Sequence, residues 1–151
     1  MDEAISIQHE DFDAGAELIK LRTASGNVGA VANFIGVVSD LNDGNTVQSL
    51  RLEHYPGMTE KSIAAIIAQA QARWPLLAVR VIHRIGELRR GDQIVFVGVA
   101  SRHRGEAFSA CEFIMDYLKT QAPFWKKETT AEGDRWVDAR ASDSAATARW
   151  Q

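Results

Sequence analysis

Residues 93–100 read QIVFVGVA. The run is apolar at both odd and even positions, so a strand here buries both of its faces and belongs in the middle of a sheet. Just upstream, Gly86 and Gly91 bracket a turn, and residues 78–85 alternate as a strand with Val79, Val81 and Ile85 on one side. Just downstream, a helix is expected from about Arg104 to Gln121, the last of the chain. Its apolar stripe is Ala107, Phe108, Cys111, Ile114, Met115 and Leu118, and Pro123 stops it. Residues 124–130 and 135–139 then read as a hairpin across Glu132-Gly133-Asp134.

Working toward the N-terminus, residues 28–38 (VGAVANFIGVV) form a buried strand, 39–46 (SDLNDGNT) a polar loop and 47–55 a second strand. Thr59 caps a helix to about Trp74, with Ile63, Ile66, Ile67, Ala70 and Trp74 on one face. Residues 3–8 give a short strand. Asp13 caps a helix through about Thr23, with Ala16, Leu18, Ile19 and Leu21 as its apolar surface. Helices and strands are mixed and two connections are hairpins, which predicts an α+β fold with a mixed sheet rather than a doubly wound parallel one.

The 151 residues fit a single domain spanning 1–151. Hydrophobic residues make up 46% and charged residues 25%, an ordinary globular balance. A net charge of −3 argues against nucleic acid as a partner. No run of about 20 apolar residues would span a membrane, and the acidic start MDEAISIQHEDFDAG is no signal peptide. The lone Cys111 allows no intrachain disulfide, so a cytoplasmic location is expected.

Few groups carry chemistry. Arg102-His103-Arg104 falls where a buried strand passes into a helix. Free N–H groups, the helix dipole and an Arg fork suit an anion there, and a solvated strand end fits equally. Lys119 lies in the last turn of the same helix, at the edge of its stripe. Position alone favours a Lys that complements the helix dipole over a partly desolvated amine that moves protons or attacks an electrophile. In a strand at 124–128, Phe124, Lys126 and Glu128 share one face, and Trp125 and Lys127 the other. Cys111, mid-stripe, reads as an inert core thiol. His9, His54, His83 and His103 lack metal-ligand spacing, so no zinc site is expected, and His83 reads as a structural histidine. Neither a phosphate-loop glycine pattern nor a Gly-x-Ser-x-Gly elbow is present.

Five blocks go further: 52–60 (LEHYPGMTE), 82–87 (IHRIGE), 91–99 (GDQIVFVGV), 113–126 (FIMDYLKTQAPFWK) and 133–137 (GDRWV). In order and at family spacing, they resemble the large subunit of molybdopterin synthase over nearly the whole chain. The resemblance implies an α/β-hammerhead-like mixed sheet with an added antiparallel subdomain. It implies a sulfurtransferase that converts cyclic pyranopterin monophosphate (precursor Z) to molybdopterin, with no cofactor of its own. It implies a homodimer that binds a small ubiquitin-like sulfur-carrier subunit at each end, whose C-terminal thiocarboxylate supplies the sulfur.

Residue by residue, the resemblance makes Lys119 and Lys126 catalytic. It makes His103, Arg104, Val37, Val38, Ser39, Lys127, Glu128 and Arg140 substrate-binding, with Phe34 and Met115 as apolar neighbours. Ser39 departs from the family, whose members usually carry Arg there. Two other readings stay open: a non-catalytic anion or pterin sensor using the same pocket, and a paralogue that binds carrier without turnover.

Overall fold

The computed structural model describes residues 4–39, 41–42, 45–130, 133–137 and 141–151. Its first layer is a four-stranded mixed sheet. Strand β7 (Gln93–Ser101) lies between β5 (Leu76–Arg84) and β2 (Ala30–Val37), antiparallel to both, and β1 (Ile5–Gln8) runs parallel to β5 on the far side. The run that is apolar on both faces is therefore an interior strand. Val95, Val97 and Val99 face α2 (Met58–Arg73) and α3 (Arg104–Gln121), packing with Ile63, Ile66, Ile67, Phe113 and Ile114. Phe96 and Ala100 face the other way, toward Leu21 of α1 (Ala14–Arg22). Gly98 points to this second face, where an added Cβ would lie 2.4 Å from Leu21 Cδ1 and 2.8 Å from the Phe96 ring, so any larger residue would have to displace those two buried side chains.

A second, antiparallel sheet is built on β4 (Asn45–His54). β4 pairs with β3 (Leu41–Asn42), β6 (Gly86–Arg89) and β8 (Phe124–Thr130), and β8 pairs with β9 (Gly133–Val137). Val38, Leu50, Leu52 and Leu88 form its small apolar core, joined to the first sheet through Ile94. The mixed sheet and the added antiparallel layer are the α+β architecture expected from the sequence.

Several local expectations are corrected. The segment between Gly86 and Gly91 is strand β6 plus a turn, because β4 offers its backbone partners at Leu52 and Leu50. Residues 39–46 contain β3 and the start of β4 as well as loop. Gly57, at φ +85°, caps α2 in place of Thr59, with Glu60 Oε1 accepting the Gly57 N–H at 2.7 Å. Thr59 is fully buried. Its hydroxyl accepts from the Tyr55 N–H at 3.0 Å and donates to the Pro123 carbonyl at 3.1 Å. Ile19 and Phe108, assigned to apolar stripes, are 50% and 67% exposed. Finally, α3 is followed by α4 (Ala141–Ala148), which lies against α3 through a Thr120–Thr147 hydroxyl contact of 2.8 Å. No described helix is long and apolar enough to cross a membrane.

Candidate active site

Helix α3 begins and ends as the sequence indicates, which puts His103 and Arg104 at one end and Lys119 at the other. His103 is the N-cap residue, with extended backbone, and Arg104 is the first helical residue; both are exposed. The cap is held from below. Ser101 Oγ donates to the His103 carbonyl at 2.6 Å, and the Gly29 N–H donates to the Ser101 carbonyl at 2.9 Å. Lys119 sits in the last turn. With 1.5 Å rise per residue, the helical path from His103 to Lys119 is about 24 Å. One chain does not bring the two ends together around a small substrate.

At the Lys119 end, α3, β2 and β5 enclose a cleft of about 300 Å³. Phe34 and Val37 line it from β2, Met115, Leu118 and Lys119 from α3, and His83 from β5. A neighbouring groove of about 490 Å³ continues over Phe34, Phe108, Met115 and Lys119 to Asp143 of α4. Lys119 is exposed in the single chain, so any desolvation of its amine requires a further surface.

His83 gives the cleft a second titratable group. Its ring stacks on Phe124 with centroids 3.8 Å apart and planes 17° apart. Its Nδ1 lies 2.8 Å from the Arg84 carbonyl oxygen. Burial pushes its pKa down from 6.5 to about 4; the Arg84 carbonyl works against that shift, while the charges of Lys119 and His54 add to it. The ring is therefore neutral near pH 7.

Lys126 follows Phe124 on β8 and shares its face, lying in register opposite Leu52 of β4; it is half-buried. Glu128, two residues on, is buried at 3% exposure. Lys127 is on the other face. Its amine reaches Asp134 Oδ2 at 3.4 Å and lies 5.6 Å from the Trp136 ring centroid, beside the stacked pair Trp125–Trp136.

The 37–39 segment divides similarly. Val37 is exposed along the cleft. Val38 is buried, with its N–H donating to the Asp92 carbonyl and its carbonyl accepting from Gly91, both at 2.9 Å. Ser39 is exposed. Arg140 lies outside the described residues. Cys111 is buried, its thiol pushed up to about 11 by burial and by Glu112, with Sγ 3.7 Å from the Val97 carbonyl.

A family model described as MoaE protein matches residues 7–121 of this chain. The chain belongs to the MoaE family. Among relatives within it, the molybdopterin synthase catalytic subunit of Ralstonia nicotianae is 62% identical over 146 residues, covering 97% of this chain and 83% of that protein. The molybdopterin synthase catalytic subunit of Vibrio cholerae is 59% identical over 151 residues, the full length of both. A solved structure, the molybdopterin biosynthesis MoaE protein from Burkholderia ambifaria, matches with a TM-score of 0.84 at 54% identity, covering 99% of this chain and 98% of that one. The family and enzyme class expected from the sequence are those of these relatives.

In this MoaE chain, one residue of the cleft and one of the neighbouring groove escape a reading of residue types. His83 continues the Val79–Val81 face, and alternation makes it core; only the end of β5 opening beside α3 turns that face toward Lys119. Asp143 comes from α4, whose sequence ASDSAATA carries no large apolar side chain. Its alanines were the available signal, as the strongest helix formers.

Proposed function

We propose that this chain is the sulfur-transferring subunit that converts cyclic pyranopterin monophosphate to molybdopterin. Lys119 and Lys126 are its working amines, and the sulfur arrives on the C-terminal thiocarboxylate of a small ubiquitin-like carrier. The observation that carries the reading is Lys119 opening into a mostly apolar cleft beside the strand that bears Lys126, in a chain of this family. Two further facts support delivery by a partner. The single thiol is buried and strongly protonated near neutral pH, unfit to carry sulfur itself. The relatives are named catalytic subunits, a term that supposes another subunit.

The substrate's cyclic phosphate belongs with His103 and Arg104, at the positive end of α3. These residues and Lys119 are too far apart along one helix to touch one substrate, so the pocket is composite. One subunit of a homodimer supplies His103 and Arg104, and the other supplies Lys119 and Lys126. Strand β2 supports this arrangement as an edge of its sheet, with Phe34 and Val37 exposed at 42% and 51% and Phe108 exposed nearby on α3. Val37, Ser39, Glu128 and Arg140 would complete the substrate surface, with Val38 acting through the core that fixes the segment. Lys127 would serve from the opposite face of β8. The enzyme works in the cytoplasm and needs no cofactor of its own.

Purified chain, thiocarboxylated carrier and precursor should yield molybdopterin. Precursor binding without product would instead mark an anion or pterin sensor. Mixing Lys119→Ala subunits with His103→Ala/Arg104→Ala subunits should restore part of the activity. No restoration after proven subunit exchange would refute the shared pocket.

A further inference from the structure

Lys119 ends a helix, on a long flexible stem, in a cleft whose other side chains are almost all apolar. An aliphatic wall does not orient an ammonium group; a hydrogen-bond acceptor or an aromatic face does. On the cleft side of Lys119, His83 is the side chain able to accept; Asn33, Glu112, Asp116 and Asp143 lie in the neighbouring groove, where Glu112 and Asp116 already accept from Arg149, and Asp116 also from Trp150. The geometry of His83 fixes which nitrogen does so. The Arg84 carbonyl, 2.8 Å from Nδ1, can only accept, so the hydrogen of the neutral ring resides on Nδ1 and the lone pair on Nε2. The Phe124 stack holds the ring plane still, and Phe124 lies between the two lysines in sequence.

We infer that His83 is a positioning residue for Lys119, its neutral ring accepting a hydrogen bond at Nε2 from the Lys119 amine and aiming that amine into the cleft. The inference rests on the reading of Lys119 as a working amine. The charged groups that act on His83 are Lys119 from α3 and His54 from β4, and the Arg84 guanidinium is turned away to Asp11 and the His9 and Gln93 carbonyls. A ring that took up a proton would repel the amine it is meant to hold. The depressed basicity of the ring, caused first by burial, keeps it an acceptor throughout the neutral range.

Three substitutions separate this role from packing. His83→Gln sets an acceptor near the Nε2 position, His83→Asn keeps a group only near Nδ1, and His83→Phe keeps the stack on Phe124 with neither. With thiocarboxylated carrier and precursor, His83→Phe and His83→Asn should lose at least tenfold in kcat, with KM for precursor within twofold. His83→Gln should stay within about threefold of the unsubstituted chain. A packing role would instead favour Phe over Gln. Equal rates for Gln and Asn would overturn the inference, even if the Phe variant failed to fold. So would a Phe variant with unchanged kcat. Lys119→Ala, run alongside, should abolish turnover. If it did not, the reading of Lys119 would fail and this inference with it. If Lys119→Ala is inactive while all three His83 variants turn over normally, only the positioning role is refuted.

Discussion

Thr59→Val replaces one side chain by another of nearly the same shape and removes only the hydroxyl. That hydroxyl is fully buried and bridges the Tyr55 N–H, at 3.0 Å, to the Pro123 carbonyl, at 3.1 Å. Valine opens no cavity, so the effect isolates the hydrogen bonds. Each buried polar group left without a partner costs about 1–3 kcal/mol. Two such groups give about 2–6 kcal/mol if both are fully buried. Both bonds are only partly buried and Tyr55 is 46% exposed, which sets the expected loss in the lower part of that range, about 2–4 kcal/mol. For a domain of this size each kcal/mol lowers Tm by about 2–4 °C, so the melting temperature should fall by about 5–15 °C.

Urea unfolding should show a lower midpoint with an unchanged slope, as expected when stability changes and compactness does not. Thr59→Ser, which keeps the bridge, should lose much less. The site should feel the change as well, because Pro123 lies in the short link between Lys119 and Lys126; kcat should fall in the folded variant. A Val variant within about 0.5 kcal/mol of the original, the ordinary range for surface changes, would refute the reasoning. So would Ser and Val variants of equal stability.

His83 should make stability depend on pH. Its folded pKa of about 4 lies below the ordinary 6.5, so between those values the unfolded chain binds the extra proton. Its contribution is full above pH 6.5 and is lost as pH falls toward 4, by about 3 kcal/mol at most. Urea midpoints measured across that window should fall more steeply for the original chain than for His83→Phe; parallel curves would contradict the buried neutral ring. Cys111→Ala should keep most of its turnover at a cost of about 1 kcal/mol in stability, and a folded variant without turnover would give the thiol a chemical role. Ser39→Arg should leave precursor affinity unchanged or raise it, by up to the roughly 1.5–3 kcal/mol of a charge-assisted hydrogen bond. Calorimetric titration showing weaker binding by an intact fold would mean that another anion contact already fills that space.

The first sheet was legible because its information is local. QIVFVGVA is apolar on both faces and is in fact flanked by helices on both, and the Ile63, Ile66, Ile67, Ala70 face of α2 is buried as its spacing requires. The second sheet was less so, because β6 owes its strand form to β4, 34 or more residues away in sequence. Thr59 looks like a cap by residue type, but Gly57 can adopt the positive φ that the turn before α2 needs, and the hydroxyl is drawn to Pro123 instead. Phe108 falls within the apolar stripe of α3, yet helical spacing alone does not reveal that the groove beside Lys119 leaves it uncovered. The lysines were named through family resemblance. Residue type alone favoured a helix-dipole role for Lys119, and no local pattern marked the approach of His83 from β5.

The central claim is that the Lys119 cleft is where sulfur transfer takes place. The direct measurement is single-turnover formation of molybdopterin by Lys119→Ala with thiocarboxylated carrier and precursor, with carrier affinity measured on the same protein. The expected result is no detectable product, with carrier affinity nearly unchanged, since the amine acts on the reacting centre and not on the docking surface. Product formation at the rate of the unsubstituted chain would contradict the account.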